Sequence, residues 1–132
     1  DTYNANPDSV RAAIDLLAHM SGPRLLVLGD MGEVGDQGPQ FHQEVGAYAQ
    51  QSGIEQLFTV GDLSRHSAQA FQSALHFDSM EALQQQVLST VGQMSAVLVK
   101  GSRFMRMERV VQALQAAQPT AASLPMKEAS CC

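Results

Sequence analysis

The chain has 132 residues, of which 45% are hydrophobic and 16% charged, the size and composition of one globular domain able to bury a core. Its formal net charge of -5 disfavours a nucleic-acid binder, which is usually basic, and no apolar run approaches the roughly 18 residues of a membrane span. Cys131 and Cys132 stand side by side at the end, a spacing that neither staples a core nor builds the usual metal site. A thiol pair of this kind fits a reducing compartment, so a cytoplasmic protein is expected.

Asp1 opens directly on a motif, with no charged and apolar leader before it. A domain belonging to a longer protein is therefore expected, with residues 1–117 as an α/β domain and 118–132 as a flexible tail rich in Pro, Ala and Ser. In chain order, Asn6-Pro7 reads as an N-cap and first-turn proline. Val10, Ile14 and Leu17 follow at helical spacing, so a helix is predicted over 7–20. Leu25-Leu26-Val27-Leu28 is apolar without alternation, the pattern of a parallel strand buried on both faces. A long loop from Gly29 to Pro39 leads to a helix over 40–52 marked by Phe41, Val45 and Tyr48, and Gly53 ends it. Residues 57–60 form a second strand. Gly61 turns the chain, and Asp62 is expected to cap the next helix. His76-Phe77 is a weak strand. Asp78 or Ser79 caps a helix that buries Leu83, Val87 and Val91. Residues 96–99 form the last clear strand, and Gly101-Ser102 turns straight into a helix facing the core with Val110, Val111 and Leu114. Strands alternating with helices give an open, mostly parallel sheet with helices on both faces. Ligands of such sheets bind beyond the carboxyl ends of the strands.

Three segments fall at that edge or beside it. In Asp1-Thr2-Tyr3-Asn4-Ala5-Asn6-Pro7, the asparagines carry donor and acceptor for a base or ribose edge and Tyr3 offers a stacking face. The same residues also read simply as a capped helix start. Gly29-Asp30-Met31-Gly32-Glu33-Val34-Gly35 follows a buried strand, but its G-x-x-G-x-x-G spacing differs from the dinucleotide fingerprint. Asp30, Glu33 and Asp36 would also repel a pyrophosphate. It is either an acidic surface loop or a place where Asp30 holds a cation or orients a substrate group. Lys100-Gly101-Ser102-Arg103 gathers positive charge at a helix start, with Arg106 and Arg109 continuing at i+3 spacing. Their partner is an external anion or an internal one such as Glu44, Glu108 or the acidic loop. His19, His42, His66 and His76 lie at no metal-ligand spacing and read as solvated or core histidines. No G-x-x-x-x-G-K-[ST] cradle for a triphosphate occurs in the chain.

Taken together and in order, Asp1–Pro7, the run from Leu28 to Gly35 and the run from Val97 to Glu108 resemble the C-terminal domain of the Mur ligase family. The second and third are most like the family member that adds D-alanyl-D-alanine. The likeness covers the chain to about residue 116. It implies a Rossmann-like fold and one domain of an ATP-dependent amide (C–N) ligase acting on UDP-N-acetylmuramoyl-tripeptide and D-alanyl-D-alanine in peptidoglycan synthesis. The first domain of that family binds the UDP-sugar. The central one supplies the triphosphate cradle and most ligands of Mg2+, so no metal ligand is assigned here. The third closes over the site, and alone it is inactive.

Carried onto this sequence, the resemblance implies that Tyr3, Asn4 and Asn6 contact the nucleotide. It places Asp30 at the reacting centre, and Asp62, Ser64, Lys100, Ser102 and Arg103 around the dipeptide, with Lys100 or Arg103 on its carboxylate. A monomer is expected, without nucleic-acid or membrane partners. A phosphoacceptor receiver module is the competing reading, since it too has an Asp after a strand and a Lys after the last one, here Asp30 and Lys100. It would use Asp62 as the phosphorylated residue.

Overall fold

The computed structural model describes residues 6–32, 34–117 and 126–128. Helix α1 spans Pro7–Ala18 and strand β1 Arg24–Gly29. Helix α2 spans Gly38–Gln51, strand β2 Gln56–Val60, helix α3 Ser64–Gln69 and strand β3 Leu75–Phe77. Helix α4 spans Met80–Thr90, strand β4 Ala96–Lys100, helix α5 Glu108–Ala117 and strand β5 Met126–Glu128. Among the described residues the sheet has five strands in the order β3-β2-β1-β4-β5, and every pair is parallel. Leu26 stands opposite Leu57 on one side and Leu98 on the other.

The pleat of the buried strands sorts side chains to two cores. Leu26, Leu28, Leu57 and Leu98 meet Val10, Ile14, Leu17, Val45 and Ala49 of α1 and α2 on one face. Leu25, Val27, Phe58, Val97 and Val99 meet Leu83, Val87, Val110, Val111 and Leu114 of α4 and α5 on the other. β1 is buried on both faces, which is why its sequence shows no polar alternation.

Local signals account for most boundaries. Asn6 accepts from the Ser9 N–H at 2.9 Å while the Ser9 hydroxyl accepts from the Asn6 N–H at 3.1 Å, a capping box at the start of α1. Ser79 accepts from the Ala82 N–H and caps α4.

Three expectations need correction. α3 begins at Ser64 and Asp62 does not cap it; its first N–H donors meet the carboxylate of Asp30, the residue after β1. No helix follows Gly101-Ser102 directly. A 3-10 turn over Arg103–Met105 comes first, Arg106 adopts a left-handed conformation (φ 51°), and α5 starts only at Glu108. Arg103, Arg106 and Arg109 therefore do not share one helical face. Within the segment expected as a flexible tail, Met126–Glu128 pair parallel with β4 as an edge strand. The rest of that segment lies outside the described residues.

Candidate functional site

From β1 the chain steps to β2 and β3 on one side, then crosses back to β4 on the other. The strand order reverses between β1 and β4, and a crevice opens at such a switch point beyond the carboxyl ends of the strands. Its two walls are Gly29–Gly32 after β1 and Lys100–Arg103 after β4.

Hydrogen bonds join these walls. The Ser102 N–H donates to the Asp30 carbonyl at 3.0 Å, and the Gly32 N–H donates to the Ser102 hydroxyl. Ser102 is fully buried, so its hydroxyl is a brace for the loop. Lys100 stands opposite Leu28 in the register. The pleat therefore puts it on the face of Leu26, Leu28 and Leu98, where Asp30 continues β1. Both are nearly buried, with 8% of Asp30 and 9% of Lys100 exposed. Phe104 covers Gly32 from the β4 side, where a Cβ on Gly32 would lie 2.8 Å from its ring, and remains 64% exposed at the mouth of the crevice.

The Asp30 carboxylate points across β1 to the loop after β2. It accepts the Leu63 N–H at 3.2 Å on Oδ2 and the Ser64 N–H at 2.7 Å on Oδ1. A long-range carboxylate thus takes the place of the local N-cap, and its charge meets the positive end of the short helix. Gly61 makes this approach possible: its φ is +109°, and a Cβ there would sit 2.4 Å from Asp30 Oδ1. Ser64 is fully buried, and among the described residues its hydroxyl has no hydrogen-bond partner. Asp62, two residues before Ser64, is exposed.

Behind the acidic loop lies His42, fully buried. Its Nε2 is 3.0 Å from the Met31 N and its Nδ1 is 2.7 Å from the Gly38 carbonyl. An N–H can only donate and a carbonyl can only accept, so Nε2 is bare and Nδ1 carries the proton. Burial lowers the pKa of His42 from its ordinary 6.5, against the raising effects of the Gly38 carbonyl and the Asp30 charge. The Ser67 hydroxyl donates to the His42 carbonyl at 2.5 Å. At the outer edge, Thr59 Oγ1 and His76 Nδ1 lie 2.7 Å apart. Burial, and then the Arg65 charge, lowers the pKa of His76.

A second hollow of about 370 Å3 lies between the starts of α1 and α2, lined by Asn6, Pro7, Asp8, Arg11, Phe41 and Glu44. Arg11 pairs with Glu44 at 3.3 Å across it. α1 runs down into β1 and α2 leads away from it, so both helices begin at the carboxyl edge of the sheet, where the crevice is.

Of the sequence-derived candidates, the structure brings Asp30, Ser64, Lys100, Ser102 and Arg103 to one edge, with Asp62 beside them and Asn6 at the hollow. Tyr3, Asn4 and Glu33 lie outside the described residues. Arg109 donates to the carbonyls of Met105 at 2.9 Å and Arg106 at 3.0 Å, so its partner is the turn itself and not an anion. The receiver reading fails on topology. Receiver sheets follow the order 2-1-3-4-5, this one runs 3-2-1-4-5, and Asp62 lies in a loop after an off-centre strand. Sequence reasoning did not foresee the Ser102 brace, the His42 contacts or Phe104 over Gly32. A histidine one helical turn after a long loop was the available signal for His42.

A Rossmann-ordered sheet whose switch-point crevice is walled by an acidic and a basic loop defines an α/β ligand-binding domain. Residues 1–103 match the family model for the Mur ligase, glutamate ligase domain, and the chain belongs to that family. It is 42% identical to the UDP-N-acetylmuramoyl-tripeptide--D-alanyl-D-alanine ligase of Escherichia coli K12 over 87% of its own length and 26% of that protein. It is 37% identical to the ligase of the same name from Buchnera aphidicola (Acyrthosiphon pisum) over 86% of its length, again 26% of the relative. A crystal structure of MurF from Acinetobacter baumannii superposes with a TM-score of 0.79 at 30% identity, covering 88% of this chain and 26% of that one. The chain thus spans about a quarter of the relatives it matches. Among the described residues no helix is long and apolar enough to cross a membrane.

Proposed function

We propose that this chain is the C-terminal domain of a bacterial cytoplasmic ligase that uses ATP to join D-alanyl-D-alanine to UDP-N-acetylmuramoyl-tripeptide. The relatives' names give the two molecules joined; the use of ATP follows from the resemblance to the family. One structural observation carries the reading: Asp30 and Lys100 share a face of the sheet at the switch point, with Ser102 bridging their loops. The strand ends at the switch point therefore bring residues of both charge signs to one face of the sheet, which suits a substrate that is a zwitterion. D-alanyl-D-alanine has an ammonium at one end and a carboxylate at the other.

In such a reaction ATP phosphorylates the substrate carboxylate. The amine of the dipeptide attacks the acyl phosphate, the amide bond forms, and phosphate leaves as the amine gives up a proton. The chain's part is to bind and orient. Lys100 and Arg103 receive the dipeptide carboxylate, exposed Asp62 stands at the rim of its bed, and the buried Ser102 and Ser64 support that bed from behind. Asp30 sets the loop that faces the amine. Asn6, with Tyr3 and Asn4, borders the nucleotide, and the hollow with its Phe41 wall is large enough for a purine base. Magnesium, which the ligase reading implies, would be held mainly by the central domain.

The test is Arg103→Ala in the full-length enzyme. A charge-assisted hydrogen bond is worth about 1.5–3 kcal/mol, and each 1.4 kcal/mol or so is tenfold. The KM for D-alanyl-D-alanine should rise about tenfold or more while that for ATP stays nearly constant. A rise confined to ATP would move Arg103 to the nucleotide side.

A further inference from the structure

We propose that His42 is a positioning residue: its neutral Nδ1–H imidazole pins the loop after β1 to the first turn of α2 and so fixes Asp30 and Gly32 at the switch-point crevice. The role rests on the ligase reading; the contacts do not. His42 occupies the second turn of α2, and its ring reaches back along the helix to the Gly38 carbonyl and outward to the Met31 N–H. Met31 is flanked by the residues that matter. Asp30 before it accepts from Leu63 and Ser64, and Gly32 after it donates to Ser102. One imidazole thus anchors the middle of a three-residue segment whose ends hold the β2 and β4 sides of the crevice.

The anchor is itself braced. The Ser67 hydroxyl binds the His42 carbonyl, tying α3 to the same turn of α2. Since α3 is the helix that Asp30 caps, the contacts form a closed circuit: β1 loop to α2, α2 to α3, and α3 back to Asp30. Met31 is fully buried, so without the ring its N–H would lose its partner away from water. The circuit holds Asp30, Met31 and Gly32 from three sides.

Long-range proton–nitrogen correlation spectra of the chain test the contact, and paired variants of the full-length ligase test the role. The expected spectrum shows a protonated Nδ1 and a bare Nε2 for His42, with the Met31 amide as protected from exchange as the amides of β1. The opposite tautomer, or a freely exchanging Met31 amide, would overturn the proposal. In the ligase, His42→Leu should lower kcat by about 10²-fold, the scale set by a misplacement of roughly 1 Å, with little change in the KM for ATP. His42→Gln has a carboxamide that can both accept from Met31 and donate to Gly38, and it should recover most of kcat. Equal loss in both variants, or a wild-type kcat in His42→Leu, would refute the role. If His42→Leu fails to fold, the recovery by His42→Gln still decides it. An unmodified full-length enzyme with no ligase activity would sink the functional reading together with the role, whereas a wrong tautomer in an active ligase sinks the role alone.

Discussion

Asp30 carries two demands on one carboxylate. Each oxygen accepts a backbone N–H from the start of α3, and the same side chain borders the proposed reacting centre. Replacing it with Asn removes the charge from the helix start and turns one acceptor into a donor that faces an N–H. A lost cap of this kind costs about 0.5–2 kcal/mol, so Asp30→Asn should lower the stability of the chain by that much in a urea titration. An unchanged midpoint would mean the carboxylate is not bound as described.

His42 gives a second residue-scale prediction, in pH. Its folded pKa is lowered by burial, so the unfolded chain binds its proton first as the solution is acidified. Stability attributable to His42 is complete above about 6.5 and is lost as pH falls from there toward the lowered folded value. The facing charges are Asp30, which opposes the shift, and His66 on α3, which reinforces it. His76, also lowered by burial, contributes a slope in the same direction. Melting temperatures should therefore fall with acid below pH 6.5, and His42→Gln should remove part of that fall. An identical slope in the variant would exclude His42 as a source.

At the scale of elements, α2 and α3 pack backbone to backbone, and Gly46 permits it. A Cβ at Gly46 would lie 2.1 Å from the Ser67 carbonyl oxygen, which is backbone and cannot rotate away. Gly46→Ala must push α3 off α2. Overpacking of that kind costs roughly 1–3 kcal/mol, even though alanine favours a helix by about 1 kcal/mol over glycine. Net destabilisation in a denaturant titration is expected, and a stabilised variant would show that α3 yields freely.

Elements were legible where local chemistry decides them. Asn6-Pro7, Ser79 and the apolar runs at Leu25 and Val97 place α1, α4, β1 and β4 without any tertiary information. The reading failed where a partner distant in sequence decides. Asp62 is the obvious cap by adjacency, but the donors of α3 turn to Asp30, far back along the chain. The delayed start of α5 depends on Arg106 taking a left-handed conformation, which its residue type does not announce. The loop after β1 has a recognisable motif, yet its shape comes from Ser102 and His42, neither of which the motif contains.

In our reading the whole molecule offers half of a cleft. The crevice and the hollow open at one edge of the sheet, with acidic groups and cations already in place, and no triphosphate cradle occurs in the sequence. We expect binding at this edge alone to be weak. Much of the surface that would enclose a nucleotide belongs, in our reading, to the roughly three-quarters of the enzyme beyond the matched region, inferred from the 26% coverage of the relatives. An enclosed site buries most of a ligand; a half-site buries far less and still orders it. The isolated chain should consequently bind ATP with a Kd near 1 mM or weaker, about -4 kcal/mol, and release no phosphate when given both peptide substrates. Calorimetry and a phosphate-release assay check these two statements separately. Micromolar ATP binding would mean that this edge encloses the nucleotide without help, and turnover by the chain alone would place the whole catalytic apparatus within it.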